Sequence, residues 1–279
     1  MDIDSLLGRA TERLAQAGSA SPRLDAEVLL GHVLGVDRTW LYTWGDRAAP
    51  VYERARFEAL VAARAEGHPV AYLIGEREFW GLALTTSPQT LIPRPDTETL
   101  VEVALELALA TRGHFLDLGT GTGAIALAFA SERPGWQVTG IDRVEEAVAL
   151  ATANADRLGI ANASFLASDW FSALAAECFD VIVANPPYIA ESDPHLMLGD
   201  VRFEPASALV AGEDGLADLR CLVESAPRHL LPGGWLAMEH GHDQAERVRQ
   251  LLQAAGYRDI ASRHDISGRQ RVTLGRMAG

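Results

Sequence analysis

Cysteines, long apolar runs and basic residues are all scarce in this sequence, and each shortage excludes a class of protein. Cys178 and Cys221 are the only cysteines among 279 residues, and they lack the close spacing of a metal-binding motif. No uncharged apolar run approaches the ~18 residues of a membrane-spanning helix. The opening residues, MDIDSLLGRA, also lack the basic-then-apolar order of a signal peptide. We therefore expect a cytoplasmic protein with no bound metal and no membrane association.

The shortage of basic residues bears on nucleic acids. Lysine and arginine together number 24, against 38 aspartate and glutamate residues, so the formal net charge is −14. A chain of that charge repels a phosphate backbone, which predicts no direct binding of nucleic acid. What is present is ordinary for a globular protein, with 48% apolar and 22% charged residues. This balance excludes a disordered, collagen-like or coiled-coil chain.

Residues 1–68 have a helical pattern throughout. Ser21 followed by Pro22 is typical of the first residues of a helix, and Leu29 and Val33 then recur at helical spacing. This region contains neither a strand-like run nor a glycine-rich loop. We predict a small helical domain that recognises a macromolecular substrate.

Residues 69–95 differ from both of their neighbours. The run Glu78–Leu84 places aromatic and apolar residues around a glycine, which predicts a short hairpin. A linker follows in which Pro93 and Pro95 flank Arg94, and this linker leads into a helix. Phe79 and Trp80 either pack in the core of the hairpin or have a functional role. Arg94 either anchors the linker or contacts the substrate, and the sequence leaves both alternatives open.

Residues 96–279 alternate short apolar runs with amphipathic segments, which predicts an α/β domain with a parallel sheet covered on both faces. The strand-like runs are His114–Leu118, Trp136–Ile141, Phe179–Ala184 and Trp235–Glu239. The helical segments are Ala124–Glu132, Val144–Leu158, Ala217–Leu230 and Asp243–Ala255. Two last runs, Tyr257–Ser262 and Gln270–Gly275, are too close together for a helix between them. They predict a terminal hairpin that adds an antiparallel strand to the sheet.

A glycine-rich loop follows the first strand of this domain. Gly119, Gly121 and Gly123 alternate with Thr120 and Thr122, so the backbone can turn sharply and approach a ligand without Cβ atoms in the way. An acidic residue, Asp142, ends the next strand about 20 residues later. A carboxylate at this spacing reaches the hydroxyl groups of a bound ribose.

Two ligands compete for this loop. A dinucleotide-binding loop has the spacing Gly-x-Gly-x-x-Gly, whereas here it is Gly-x-Gly-x-Gly, preceded by Asp117. A carboxylate beside the loop disfavours a pyrophosphate but suits the ammonium and sulfonium charges of S-adenosyl-L-methionine. We therefore predict that Asp117, the loop and Asp142 bind this methyl donor. Asp169 and Trp170, after the following strand, are expected to flank its adenine, although Trp170 also fits a core position.

The run Asn185-Pro186-Pro187-Tyr188 directly follows another strand. Ligands of open α/β sheets bind beyond the carboxyl ends of the strands, so this run is expected to face the same crevice as the glycine loop. Asn185 and the carbonyl of Pro186 offer two hydrogen-bond acceptors, the prolines make the corner rigid, and Tyr188 offers a flat ring. Such a site suits a planar –NH2 group, whose two N–H bonds it would hold while the nitrogen is methylated.

Together these motifs identify a family. Gly119–Gly123, Asp142 and Asn185–Tyr188 resemble those of class I methyltransferases that act on amino groups, a superfamily with a seven-strand sheet whose last strand is antiparallel. Four further runs resemble the release factor glutamine N5-methyltransferases, the PrmC/HemK family, and the resemblance covers essentially the whole chain. These runs are Arg77–Trp80, Leu91–Glu98, Asp169–Phe171 and Asp200–Pro205.

The resemblance implies a substrate and a set of roles. It implies methylation of the glutamine in the Gly-Gly-Gln motif of class I peptide chain release factors, with the N-terminal domain engaging the factor. We also expect the enzyme to be a monomer. It also implies that Gly119–Gly123, Asp142, Trp170 and Asn185 bind the donor, and that Asn185–Tyr188 hold the glutamine. Two alternatives stay open on the motifs alone, a glutamine methyltransferase of a ribosomal protein and an adenine N6-methyltransferase.

Overall fold

The computed structural model describes all 279 residues, which form two compact units. The first unit comprises Met1–Glu76 together with His195–Phe203, and the second comprises Arg77–Pro194 together with Glu204–Gly279. None of the helices combines the length and the apolar character needed to span a bilayer.

Five helices build the first unit, of which the first four lie in the region predicted to be helical and the fifth lies in the segment predicted to be hairpin and linker. They are α1 (Ile3–Gln16), α2 (Pro22–Leu34), α3 (Arg38–Thr43), α4 (Val51–Ala65) and α5 (Val70–Ile74). Two of them begin with a capping aspartate: the backbone N–H of Ser5 donates to Asp2 at the start of α1, and that of Trp40 donates to Asp37 at the start of α3. The apolar faces of α1, α2 and α4 meet in one core that includes Leu7.

A partly buried ionic cluster links three segments of this unit. Ser21 precedes α2 as predicted but does not cap it, because its hydroxyl donates instead to Asp25 at 2.9 Å. Arg64 of α4 pairs with Asp25 at 2.7 Å and with Asp200 at 2.6 Å. Arg64 thereby holds the short turn Gly199–Phe203 against α2 and α4, although it is more than a hundred residues away in sequence.

The predicted hairpin follows, with strands β1 (Glu76–Phe79) and β2 (Leu82–Thr85). Trp80 and Gly81 form its two-residue turn with φ angles of 55° and 73°, both in the left-handed region, as in type I′ turns. Phe79 is buried in the core of the second unit, whereas the Trp80 indole N–H donates to the Glu132 carboxylate at 3.1 Å. Both residues therefore have structural roles in the hairpin.

The second unit is built on a seven-stranded sheet. Its strands are β3 (His114–Leu118), β4 (Gln137–Asp142), β5 (Ala163–Ala167), β6 (Phe179–Ala184), β7 (Leu230–Glu239), β8 (Arg258–His264) and β9 (Gln270–Arg276). They lie in the order β5-β4-β3-β6-β7-β9-β8, and all pairings among β3–β7 are parallel. The last strand, β9, runs antiparallel between β7 and β8, which confirms the predicted fold class.

Five helices accompany this sheet: α6 (Glu98–Leu107), α7 (Ala124–Glu132), α8 (Glu145–Leu158), α9 (Ala217–Ser225) and α10 (Ala245–Ala254). Because side chains alternate along a strand, Phe115 of β3 packs in one hydrophobic cluster and its neighbour Leu116 packs in the other. Apolar layers therefore cover the two faces of the sheet, and polar ligand contacts are left to the strand ends.

Two element boundaries of this unit differ by five residues from those predicted, whereas the other predicted boundaries agree within two residues. The helix expected over Ala217–Leu230 ends at Ser225, and Pro227 follows in a single 3₁₀ turn because proline cannot continue an α-helix. The strand expected to begin at Trp235 begins earlier, at Leu230, with an irregular register opposite the first residues of β6.

Candidate functional site

The register of three parallel strands brings the predicted motifs together. Leu118, the last residue of β3, lies opposite Ile141 of β4 on one side and Ala184 of β6 on the other. The residues that follow Leu118, Ile141 and Ala184 along the chain are Gly119, Asp142 and Asn185. All three therefore lie together at the carboxyl ends of these strands. This is the point of the sheet where open α/β folds bind ligands.

A cavity opens at this edge, and nine of the predicted site residues line it. They are Gly119, Thr120, Gly121, Thr122, Asp142, Asp169, Trp170, Asn185 and Pro187. The other four predicted residues, Asp117, Gly123, Pro186 and Tyr188, are not among the lining residues.

The glycine loop is fastened to the end of β4 and has three left-handed residues. The N–H groups of Gly119 and Thr120 both donate to the carbonyl of Ile141, at 2.9 and 2.8 Å. Gly119, Gly121 and Gly123 have φ angles of 75°, 55° and 82°, which favour glycine. A Cβ atom at Gly121 would meet no protein atom within 4 Å, because this residue faces the open cavity.

Gly123 serves a different purpose from Gly121. A Cβ atom there would lie 3.1 Å from the Cβ of Ala151 and from Leu127, and 3.3 Å from Phe165. This glycine therefore allows α7 to pack closely against α8 and β5, and it does not line the cavity.

Asp142 is one of three acidic residues that line the cavity, and the backbone fixes its orientation. The N–H of Gly121 donates to Oδ2 and the N–H of Val144 donates to Oδ1, both at 3.0 Å. Each carboxylate oxygen has two lone pairs, so each can accept a further hydrogen bond from a ligand. The arrangement suits a ligand with two neighbouring hydroxyl groups.

Asp117 lies beneath the loop and is fully buried. Its Oδ2 accepts hydrogen bonds from the Thr120 hydroxyl at 2.7 Å and from the N–H of Ala126 at 3.2 Å, whereas Oδ1 has no partner in the chain. Burial raises the pKa of Asp117 to about 7, and the negative charge of Asp142 adds to this effect. The carboxyl group therefore secures the loop from below.

Trp170 closes another side of the cavity. Its backbone is left-handed, with φ at 46°, and its carbonyl accepts a hydrogen bond from the Ser168 hydroxyl at 2.6 Å. The indole lies over the loop, since a Cβ atom at Gly119 would be 3.6 Å from its ring. Asp169 and Asp218 lie nearby in the cavity wall, and burial raises the pKa of Asp218.

Asn185 has a defined amide orientation. Its Nδ2 group donates to the hydroxyl oxygen of Thr97 at 3.3 Å. Thr97 is buried in the 3₁₀ turn Pro95–Thr97 that leads into α6. Because the NH2 group is engaged by Thr97, the carbonyl oxygen Oδ1 is the end of the amide that can accept from a ligand.

Tyr188, three residues after Asn185, is hydrogen-bonded to a buried carboxyl group. Its hydroxyl donates to Oε1 of Glu239, the last residue of β7, at 3.2 Å. Burial raises the pKa of Tyr188, and the neighbouring Glu239 charge acts in the same direction. Burial also raises the pKa of Glu239, against the hydrogen bonding of Thr97 and Tyr188 and the charges of Arg271 and Arg94.

Arg94 both anchors the linker and lines the cavity. It pairs with the carboxylate of Glu204 at 2.8 Å, and the second oxygen of Glu204 accepts from the N–H of Ile92 at 3.0 Å. The Arg94 side chain is one-third exposed and reaches the cavity wall. The two alternatives for this residue are thus compatible.

Sequence reasoning missed Thr97 and Glu239. Thr97 lies in the run Leu91–Glu98, for which no role at the site was predicted, and Glu239 appears in the sequence only as the end of a strand-like run. No group of three or more His, Cys, Asp or Glu side chains is arranged to hold a metal ion. A carboxylate that ends an apolar strand run was the one available signal for Glu239.

Comparisons with known proteins agree with this architecture. Residues 5–75 match the model of the PrmC N-terminal domain, and residues 110–271 match that of a methyltransferase domain. A solved methyltransferase from Pyrococcus furiosus shares the fold, with a TM-score of 0.55 and 19% identity over 80% of this chain and 98% of that one.

Similar curated proteins extend over nearly the full length. The release factor glutamine methyltransferase of Vibrio cholerae is 58% identical over 98% of this chain and 96% of its own. That of Pseudomonas aeruginosa is 56% identical over 93% and 94%. Identity of this extent, together with the two domain matches, establishes that the chain belongs to the release factor glutamine methyltransferase family.

Proposed function

We propose that this protein transfers a methyl group from S-adenosyl-L-methionine to the side-chain amide nitrogen of the glutamine in the Gly-Gly-Gln motif of class I peptide chain release factors. The observation that carries the proposal is the orientation of Asn185. Its NH2 group is engaged by Thr97, so its carbonyl oxygen is free to accept an N–H bond at the cavity. The relatives in Vibrio cholerae and Pseudomonas aeruginosa are named for this activity.

The residues of the cavity fit the methyl donor. Asp142 has acceptor capacity left for the two ribose hydroxyls, Gly121 leaves open space above the loop, and Trp170 offers an apolar face for a flat ring. The buried Oδ1 of Asp117 has no partner in the chain, so it keeps the capacity to accept a hydrogen bond from a ligand such as the ammonium group of the donor. When bound, the donor supplies an electrophilic methyl group on a sulfonium centre.

The chain's own residues then position the acceptor nitrogen. Asn185 Oδ1 and the carbonyl of Pro186 each accept one N–H bond of the substrate amide. An amide nitrogen is a weak nucleophile because its lone pair is delocalised, and two acceptors stabilise the positive charge that develops as the lone pair is used. The rigid prolines hold these acceptors in place, and the ring of Tyr188 limits rotation of the amide plane. The proton leaves after the methyl transfer, so no strong general base is required.

The first unit is proposed to recognise the release factor. Eight of the chain's ten exposed large hydrophobic residues lie in this unit, including all three exposed aromatics, Tyr42, Trp44 and Tyr52. Exposed aromatic residues are typical of protein-binding surfaces. Binding energy from remote parts of a substrate also positions its reacting group, which a lone glutamine side chain cannot do.

A substrate panel tests the proposal. Full-length enzyme and labelled donor are incubated with release factor, with the same factor carrying alanine for the motif glutamine, with ribosomal proteins and with duplex DNA. We expect label on the unmodified factor alone. Label on a ribosomal protein or on adenine, with none on the factor, would replace the proposal by the corresponding alternative.

A further inference from the structure

The charged side chains that line the cavity are unevenly distributed along the edge of the sheet. Asp142 ends β4 and Asp169 follows β5, so both belong to the half of the cavity formed by these two strands. Asp218 of α9 lies near Asp169 in the same part of the wall. Two basic residues also line the cavity. Arg143 directly follows Asp142, whereas Arg94 comes from the linker before α6 and is the one basic lining residue outside that acidic half.

Hydrogen bonds place Arg94 beside the end of β6. Its carbonyl accepts from the backbone N–H of Thr97 at 3.0 Å, and the Thr97 hydroxyl accepts from Nδ2 of Asn185 at 3.3 Å. Asn185 follows the last residue of β6, and β3 with its glycine loop separates β6 from β4. Arg94 therefore enters the cavity from the β6 side of the loop, whereas Asp142 enters it from the β4 side.

The guanidinium group of Arg94 keeps donors for a ligand. Its Nη2 donates to Oε1 of Glu204 at 2.8 Å, and the other oxygen of Glu204 accepts from the N–H of Ile92 at 3.0 Å. A guanidinium group has five N–H bonds in a rigid plane, so one bond to Glu204 leaves the others available at the cavity wall. Such a group recognises a carboxylate, which it can bind through two parallel N–H···O bonds.

The methyl donor carries one anionic group, the α-carboxylate of its methionine part. S-adenosyl-L-methionine has its adenosine on one side of the sulfonium centre and this amino-acid part on the other. With the ribose at Asp142 and the methyl group facing Asn185, the adenosine occupies the β4 half and the amino-acid part extends toward the β6 side. The carboxylate there meets the cation of Arg94, whereas in the other half it would be repelled by the carboxylates of Asp142 and Asp169.

We propose that Arg94 binds the α-carboxylate of the methyl donor and that this contact selects donors that carry a carboxylate. The assignment rests on the proposed function, because the direction of the donor across the sheet follows from the ribose at Asp142 and the methyl group at Asn185. It gives Arg94 a ligand contact in addition to its ion pair with Glu204.

A pair of donors tests the contact directly. Decarboxylated S-adenosylmethionine keeps the adenosine, the sulfonium centre and the methyl group but lacks the carboxylate. Calorimetric titration of the full-length enzyme, without release factor, gives the dissociation constants of both compounds. The wild type should bind the decarboxylated compound about 10- to 100-fold more weakly, the size expected when hydrogen bonds to a charged group are lost. In Arg94→Ala the two constants should agree within about threefold.

Arg143 provides a matched control in the same cavity. It also lines the wall, and its Nη2 donates to the carbonyl of Ser207 at 3.0 Å on the β4 side. Arg143→Ala removes the same charge, so it should change the two dissociation constants by the same factor and leave their ratio as in the wild type. A ratio that Arg94→Ala leaves unchanged, or that both variants lower equally, would overturn the proposal.

Variants of Glu204 separate the ligand contact from the anchoring of the linker. Arg94→Ala leaves the buried Glu204 carboxylate without its cation, which costs stability. The double variant Arg94→Gln, Glu204→Gln leaves no buried charge unpaired and should lose the discrimination between donors as Arg94→Ala does. Glu204→Gln alone removes the ion pair but keeps the cation, so it should discriminate as the wild type does. Loss of discrimination in Glu204→Gln equal to that in Arg94→Ala would show that anchoring alone is responsible and would overturn the proposal.

Binding and methylation together keep this proposal distinct from the proposed function. Methylation of release factor by an enzyme whose choice of donor does not depend on Arg94 would refute the carboxylate contact and keep the function. A choice of donor that depends on Arg94, in an enzyme that leaves release factor unmethylated, would refute the function and keep the contact. A higher KM for release factor in Arg94→Ala, with unchanged discrimination between donors, would assign Arg94 to the protein substrate instead.

Discussion

Two glycines of the same loop provide a matched pair of substitutions. Gly121 and Gly123 both have left-handed backbones, so alanine at either position costs about 1–2 kcal/mol of folding free energy through backbone strain. At Gly121 the added Cβ meets no protein atom within 4 Å, so strain is the whole cost. At Gly123 it lies 3.1 Å from the Cβ of Ala151, which cannot rotate away, and overpacking adds about 1–3 kcal/mol.

Ligand binding should respond in the opposite order. The Cβ of Gly121→Ala enters the cavity, so we expect the dissociation constant of S-adenosyl-L-methionine to rise by about tenfold or more, roughly 1.4 kcal/mol. Gly123 does not line the cavity, so Gly123→Ala should bind the donor nearly as the wild type does once it is folded. Urea unfolding gives the stabilities and calorimetric titration the affinities. Unchanged affinity in Gly121→Ala, or a loss confined to Gly123→Ala, would refute this assignment of the loop.

Three further predictions concern charged groups. Burial raises the pKa of Asp117 from 3.8 to about 7, so folding disfavours its ionisation and the wild type should lose stability as pH rises from about 4 to 7. Asp117→Asn should remove this dependence. The difference in unfolding free energy between the variant and the wild type should therefore grow in favour of the variant by up to about 1.4 kcal/mol per pH unit in that range. Urea unfolding at pH 5 and pH 8 measures this difference. A constant difference at the two pH values would refute it. Asp142→Ala should weaken donor binding in calorimetry more than it lowers kcat at saturating donor, because a ribose contact is remote from the transferred methyl group; equal donor affinity would place the ribose elsewhere. The net charge of −14 should attract the tip of a release factor that is basic enough to approach RNA. Because salt screens this attraction, the apparent KM for the factor should rise with ionic strength. A KM that does not depend on salt would contradict electrostatic attraction.

The strand-ending motifs could be predicted because each is local in sequence. The glycine loop, Asp142 and Asn185–Tyr188 each directly follow an apolar run, and parallel pairing then places the carboxyl ends of the strands at one edge. The antiparallel last strand could also be predicted from a local signal, because the short gap before the last run leaves no room for another crossover helix. The strand order of the sheet confirms this prediction.

Residues that act through distant partners could not be found this way. Glu239 reaches Tyr188 only because β7 pairs with β6, and Thr97 reaches Asn185 from a turn 88 residues earlier in the chain. The turn that holds Asp200 belongs with the helical unit, to which it is joined by the Arg64–Asp200 ion pair, by a hydrogen bond from Arg202 to the Glu66 carbonyl and by the Phe203 ring against His68. The prediction that Asp117 binds the methyl donor stays a prediction, but its burial beneath the loop and its bond to Thr120 depend on the folded chain.

The most direct test locates the methyl group itself. Release factor is incubated with S-adenosyl-L-methionine and either the wild-type enzyme or Asn185→Ala, and the peptide that contains Gly-Gly-Gln is sequenced by mass spectrometry. We predict one added methyl group on the glutamine side chain with the wild type, and a rate lower by about 10²–10³ with a folded Asn185→Ala, the cost of losing one well-placed contact to the reacting group. A methyl group on any other residue, or a variant within a few-fold of the wild type, would contradict the account.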